Sequence, residues 1–249
     1  MKVLITGASR GIGLQIAKDL LERGHDLALH CNKNSSALKL LLKKNKSDSF
    51  IIQANLSKIT HIKKLVNETY NKFNIPDCII NNAGIAQSAD ISLEIDKWNN
   101  LFEETMHVNL RAPALISKEF ICLKRKKNIN SRLRIINISS RAAFRGEQAD
   151  YISYACSKGA LLSLTKTISK SFGKIDNVIA ISIAPGFVRT EMAQKFIDKH
   201  GEEIATEGIT LDRLTEPTDL SPVISLITEG KLDHASGSTI DINAGSYLR

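Results

Sequence analysis

Cysteine is scarce in this 249-residue chain. Cys31, Cys78, Cys122 and Cys156 are widely spaced and form no C-x-x-C pair. That argues against a disulfide framework or a thiolate metal site and leads us to expect reduced thiols in a cytoplasmic protein. The six histidines are scattered, so a metal cluster is not expected. No apolar run approaches the roughly 20 residues of a membrane-spanning helix. One lysine and three strongly apolar residues before Thr6-Gly7 are too little for a secretory leader. Aromatic residues make up 5% and are not interleaved with basic ones, so the net charge of +8 does not point to nucleic acid. That charge favours solubility or an acidic partner. With no repeats and no low-complexity linker, the chain reads as one domain over residues 1–249.

What is present begins at the amino terminus. Val3-Leu4-Ile5 runs into Thr6-Gly7-Ala8-Ser9-Arg10-Gly11-Ile12-Gly13. An amphipathic stretch follows, with Ile12, Ile16 and Leu20 flanked by Ala17 and Leu21, and stops at Gly24. Strand, glycine-rich turn and helix in this order make a dinucleotide cradle. The glycines let backbone approach a pyrophosphate, which rests on the free N–H groups of the helix start.

A second signal is Tyr154-Ala155-Cys156-Ser157-Lys158. It places a phenol and an ammonium one helical turn apart. A free tyrosine has a pKa of about 10, and a nearby lysine charge is expected to pull it toward neutrality. Ser139-Ser140 ends an apolar run upstream. Tyr151 competes with Tyr154, but Lys158 lies two turns beyond it.

Short apolar runs alternate with helical patterns. Strands are expected at Val3–Thr6, Leu27–His30, Phe50–Gln53, Cys78–Asn81, Leu133–Ile138, Val178–Ile183 and Thr239–Ile242. Helices in the gaps make βαβ units and an α/β, Rossmann-like, doubly wound sheet of seven mostly parallel strands with helices on both faces. In such sheets ligands sit at the carboxyl ends of strands. The motifs fall there: the glycine loop after the first strand, Asn81 to Gly84 after the fourth, Ser139-Ser140 after the fifth and Pro185-Gly186 after the sixth.

In order and spacing these motifs, with Asn109, resemble the short-chain dehydrogenase/reductase family over essentially the whole chain, and within it the 3-oxoacyl-[acyl-carrier-protein] reductases. The resemblance implies a carbonyl reductase. Tyr154 would protonate the carbonyl oxygen, and Lys158 would also bind the nicotinamide ribose. Ser140, favoured over Ser139 by the family pattern, would hold the carbonyl. Asn109 would support a water chain to Lys158, although alone it reads as a helix-bending residue. Implied cofactor contacts are Gly7, Ala8, Ser9, Arg10, Gly11, Ile12, Gly13, Asn32, Lys33, Asn55, Leu56, Asn82, Ala83, Gly84, Tyr154, Lys158, Pro185, Gly186 and Val188. A cytoplasmic homotetramer in fatty acid biosynthesis is the corresponding expectation. The alternatives are a dehydrogenase of sugars, polyols or small alcohols, and a catalytically silent nucleotide-binding regulator.

Cofactor choice turns on the end of the second strand, where NAD enzymes usually carry an acid for the ribose hydroxyl. Here the chain reads His30-Cys31-Asn32-Lys33-Asn34-Ser35. Arg10 and Lys33 can face a 2′-phosphate and Asn32 and Ser35 can hydrogen-bond it, so NADP(H) is expected. Asn55 departs from the family's usual aspartate; its amide oxygen can still accept from adenine. Asn243-Ala244-Gly245 departs from a Gly-Gly turn.

Phe187 to Glu216 reads as two helical pieces hinged at Gly201 and Gly208. Its Met192, Phe196, Ile197 and Ile204 either line a substrate pocket or pack on the body. Lys166, Lys170 and Lys174 recur every fourth residue as one basic stripe. With Arg125, Lys126 and Lys127 it is a solvated face or a dock for an acyl carrier protein.

Overall fold

A computed structural model describes the chain apart from residues 202, 204, 205 and 207, and apart from the side chains of 192, 195, 196, 199 and 200. Of the expected pocket residues, Met192 and Phe196 by their side chains, and Ile204 altogether, lie outside the described residues. The strands are β1 (Lys2–Ile5), β2 (Asp26–Cys31), β3 (Phe50–Gln53), β4 (Cys78–Asn81), β5 (Leu133–Ile138), β6 (Val178–Pro185) and β7 (Thr239–Ile242). They form one sheet in the order β3-β2-β1-β4-β5-β6-β7, and every pairing is parallel.

Alternation along each strand feeds two cores. Val3 and Ile5 of β1, with Leu27 and Leu29 of β2, face Ile16 and Leu20 of α1 (Gly11–Glu22) and Leu220 and Ile224 of α9 (Pro217–Thr228). Leu4 and Ala28 point the other way. They meet Leu65 of α3 (Ile59–Phe73), Ile116 and Phe120 of α5 (Ala112–Lys126) and Ile168 of α7 (Ile152–Asp176). Each such Val, Leu, Ile or Phe side chain contributes about 1.5–3 kcal/mol on full burial. The remaining helices are α2 (Ser36–Lys43), α4 (Ile95–Met106), α6 (Ala142–Arg145) and α8 (Glu191–His200). Among the described residues no helix is long and apolar enough to cross a membrane.

Strand order reverses between β1 and β4, which opens a crevice at their carboxyl ends. Thr6 and Asn82 stitch it together. The Thr6 hydroxyl oxygen accepts the amides of Asn82 and Ala83, both at 3.0 Å. The Asn82 side-chain amide donates to the carbonyls of Thr6 (2.9 Å) and Gly7 (3.0 Å).

Candidate active site

The glycine loop is built for close approach. Gly7 has φ +66°, and a methyl group there would lie 2.8 Å from the Ala83 Cα. A methyl at Gly13 would collide with the Gly7 carbonyl oxygen and lie 2.5 Å from the Asn82 side-chain nitrogen. Bare backbone therefore lines the crevice from both β1 and β4, with Ala8 buried, Ser9 half-buried and Gly11 and Ile12 opening α1. These residues fit a dinucleotide, whose pyrophosphate needs an approach that side chains would block.

One residue of this cradle escaped the sequence reading. His30 is 2% exposed. Its Nδ1 accepts the Gly7 N–H at 3.0 Å, and its Nε2 lies 2.9 Å from the Ala54 carbonyl. Nδ1 as acceptor fixes Nε2 as the protonated nitrogen, so the ring is a neutral clamp between the glycine loop and the end of β3. Burial pushes its pKa down to about 4, against a smaller opposing effect of the Ala54 bond. The available signal was a histidine inside the apolar run Leu27-Ala28-Leu29.

After β2, Asn32 and Lys33 are exposed, and no acid follows that strand before α2. Arg10 is not free: it pairs with Glu191 at the start of α8 at 3.1 Å, both side chains being more than two-thirds exposed. Ion pairs so exposed are weak. Ser35 stands at the start of α2 without a side-chain capping bond. The Asn55 carbonyl oxygen already accepts the Ser57 amide (2.9 Å) and hydroxyl (2.8 Å). Both its lone pairs are thus engaged, which corrects the expectation that this oxygen awaits adenine. Leu56 beside it is buried.

Tyr154 and Lys158 sit in the first turns of α7, facing the end of β5. Lys158 is buried, and its ammonium donates to the Ile138 carbonyl at 2.7 Å. It lies 5.7 Å from the centre of the Tyr154 ring. Ser139 and Ser140 divide the work. Ser139 turns back to donate to the Lys158 carbonyl at 2.9 Å. Ser140 accepts the Ala142 amide at 3.1 Å and is hydrogen-bonded to the Tyr154 side chain. Tyr151 is half-buried in the short turn ahead of α7.

The electrostatics differ from expectation in one respect. Burial pushes Tyr154 above the ordinary tyrosine pKa; the Ser140 hydrogen bond opposes this, and the Glu147 carboxylate adds to it. The net direction is upward, not the expected pull toward neutrality by Lys158. Lys158 itself is lowered by burial to about 8. Near neutrality the pair is a protonated phenol beside a mostly charged lysine.

Asn109 completes the cluster from a widened helical turn, His107–Arg111, between α4 and α5. Pro113 explains the widening. It has no N–H for the carbonyl four residues back, which is that of Asn109, and its ring crowds regular α geometry there. The fully buried Asn109 side chain accepts the Ile85 amide (2.9 Å) and donates to the Ile85 carbonyl (2.8 Å) and the Ser157 hydroxyl (3.0 Å). A methyl at Gly84 would lie 3.4 Å from the Lys158 ammonium and 3.5 Å from the Asn109 carbonyl oxygen. Gly84 therefore brings the β4 loop down onto both residues.

Across the site, the Gly186 amide donates to Ile242 at 2.9 Å, and a methyl there would lie 2.8 Å from the Asn243 Cα. Val188 is buried and bridges to Thr215. Ala244 adopts φ +50°, a left-handed conformation that costs alanine more than glycine. Ile197 packs with Leu214, Phe187 and Ile209 rather than standing open.

Residues 1–201 match the short chain dehydrogenase family. The chain belongs to that family. It is thus an oxidoreductase of a group whose fold and motif order it reproduces. Among curated relatives, 3-oxoacyl-[acyl-carrier-protein] reductase of Staphylococcus epidermidis is 28% identical over 254 residues, covering 98% of each chain. The enzyme of that name from Rickettsia typhi is 30% identical over 246 residues, covering 98% of this chain and 96% of its own. Among solved structures, 4-hydroxyisoleucine dehydrogenase complexed with NADH superposes with TM-score 0.87 at 28% identity, covering 98% of each chain. An angucycline C-6 ketoreductase with bound NADP does so with TM-score 0.84 at 25% identity, covering 98% of this chain and 95% of its own.

Proposed function

We propose that residues 1–249 act as one NADPH-dependent carbonyl reductase domain. The observation that carries this reading is the Tyr154 phenol against Ser140, its ring centre 5.7 Å from the Lys158 ammonium that the Ile138 carbonyl anchors. Bound NADPH supplies the hydride that adds to the carbonyl carbon. Tyr154 gives its proton to the carbonyl oxygen, so C=O becomes CH–OH. Ser140 holds that oxygen in line with the phenol. Lys158 keeps a positive charge beside the phenolate left behind and binds the ribose. Asn109 positions the water chain that returns the proton. Gly7 to Gly13, Asn82 to Gly84, Pro185, Gly186 and Val188 form the cofactor bed. The missing acid after β2 favours NADP(H), with Arg10 exchanging Glu191 for the 2′-phosphate.

The relatives' activity makes a 3-oxoacyl thioester, on acyl carrier protein or coenzyme A, the first substrate reading. A cytoplasmic homotetramer in fatty acid biosynthesis is the matching context. The exposed Lys166, Lys170 and Lys174 offer a carrier-docking stripe. Arg125 does not join it, because Asp176 holds its guanidinium at 2.6 and 2.8 Å. The second reading, a small alcohol or its ketone, is favoured by the likeness to 4-hydroxyisoleucine dehydrogenase, which has also been solved with succinate at TM-score 0.82. A screen of NADPH oxidation with 3-oxoacyl thioesters, small ketones and sugars tests these readings. Tyr154→Phe is the control and should lose about 10²–10⁴-fold in turnover while still binding cofactor. NADPH oxidation that survives Tyr154→Phe, or none with any carbonyl, sinks the proposal.

A further inference from the structure

Arg141 directly follows Ser140, and its backbone is fixed. Its N–H donates to the Pro185 carbonyl at 3.0 Å, and its own carbonyl accepts the amides of Phe144 (3.0 Å) and Arg145 (3.2 Å). Its side chain is half-buried. Yet its guanidinium makes no ion pair and no hydrogen bond among the described residues. Nearby cations differ. Arg145 holds both Glu147 oxygens at 3.1 Å, and Arg249 holds Asp241 at 2.8 Å. Glu147, whose charge acts on Arg141, is therefore already engaged by Arg145.

Burial and the Arg145 charge hold Arg141 below its usual pKa, and Glu147 partly opposes them. Arg141 follows the serine that meets the Tyr154 side chain, and its amide is tied to Pro185 at the end of β6, so the chain places it beside the proton donor at the strand ends. A partly desolvated cation with no counter-ion is costly to keep. Its planar fork matches a carboxylate through two parallel hydrogen bonds.

We infer that Arg141 pairs with a carboxylate carried by the substrate, so that the compound reduced is a small oxo acid rather than a neutral ketone or thioester. This rests on the reductase reading and narrows it to the second substrate class. Arg141 is then the residue that sets specificity, a task separate from the proton chemistry of Tyr154.

The test pairs pyruvate, acetoacetate and levulinate with their methyl esters in NADPH-oxidation assays on the full chain. At least one acid should exceed its ester in kcat/KM by about ten-fold or more. Arg141→Met should erase that preference through KM and leave ester turnover unchanged; Arg141→Lys should restore part of it. An ester preferred by the unmodified protein, or equal losses on acid and ester in Arg141→Met, overturns the inference. If no carbonyl compound, thioesters included, consumes NADPH, it is the reductase reading that fails. Calorimetry with malonate, with and without NADPH, then decides the carboxylate site alone. Saturable binding lost in Arg141→Met upholds it, and absent or unchanged binding refutes it.

Discussion

His30 offers a test in which two conservative substitutions should behave differently. Its Nδ1 accepts from Gly7 in the glycine loop, and its Nε2 donates to Ala54 just after β3. An asparagine side chain reaches the Nδ1 position, so His30→Asn keeps an acceptor for Gly7 and abandons Ala54. A glutamine reaches the Nε2 position, so His30→Gln keeps the donor to Ala54 and abandons Gly7. Each leaves one buried backbone group unpaired, at about 1–3 kcal/mol. At this chain length the melting temperature should fall by about 2–4 °C per kcal/mol in both variants. Only His30→Gln frees the glycine loop, so only it should weaken cofactor affinity, by roughly ten-fold for each 1.4 kcal/mol transmitted to the loop. Calorimetric melting and cofactor titration by fluorescence separate the two effects. Equal cofactor affinity in the two variants, or tighter binding by His30→Gln, would refute the clamp.

Acid stability carries a linked expectation, because the folded His30 pKa of about 4 lies below its ordinary 6.5. The neutral ring's stabilisation is complete above pH 6.5 and is lost as pH falls toward 4, a span of about 3 kcal/mol; a His30→Asn protein should lack this part of the acid dependence in denaturant titrations. Turnover in the reduction direction should decline above pH 8 as Lys158 loses its proton, since burial sets its pKa at about 8. A rate that is flat to pH 10 would contradict that. Asn32→Asp should repel a 2′-phosphate and shift kcat/KM from NADPH toward NADH, whereas an unmodified enzyme already preferring NADH would undo the argument from the missing acid. Under the thioester reading, which the Arg141 inference opposes, reversing Lys170 and Lys174 to Glu should slow turnover of a carrier-protein substrate in low salt only, while sparing a coenzyme A analogue; equal loss on both returns the stripe to a solvated face.

The sheet was legible because its signal is local. Apolar runs as short as Phe50–Gln53 and Cys78–Asn81 are strands with those same bounds, each flanked by turn-forming or charged residues; the second is buried throughout, the first only in part at the sheet edge. The glycine loop and the Tyr154–Lys158 spacing were legible for the same reason. What the chain did not disclose depends on partners distant in sequence. Arg10 was read as free for a phosphate, but its counter-ion Glu191 lies 181 residues away and meets it only when α8 folds over the loop. The lysine–tyrosine pair illustrates a different limit. Spacing placed the two groups together, but the pKa of each is set chiefly by burial, which four residues of sequence do not encode.

The widened turn at Asn109 was within reach of sequence reasoning through Pro113. A proline four residues after an otherwise uninterpretable asparagine in a helical run specifies a carbonyl with no helical partner and a turn that must open. His30 was within reach as well. β2 alternates Leu27, Ala28, Leu29, His30 and Cys31 between two apolar cores, and a polar side chain on such a strand must find partners where the strand ends. At that point it meets backbone groups of the loops that follow the strands, here the Gly7 amide and the Ala54 carbonyl. A buried polar residue at the carboxyl end of a parallel strand therefore marks a loop held in place, and here the loop held is the one that receives the cofactor's phosphates under the reductase reading.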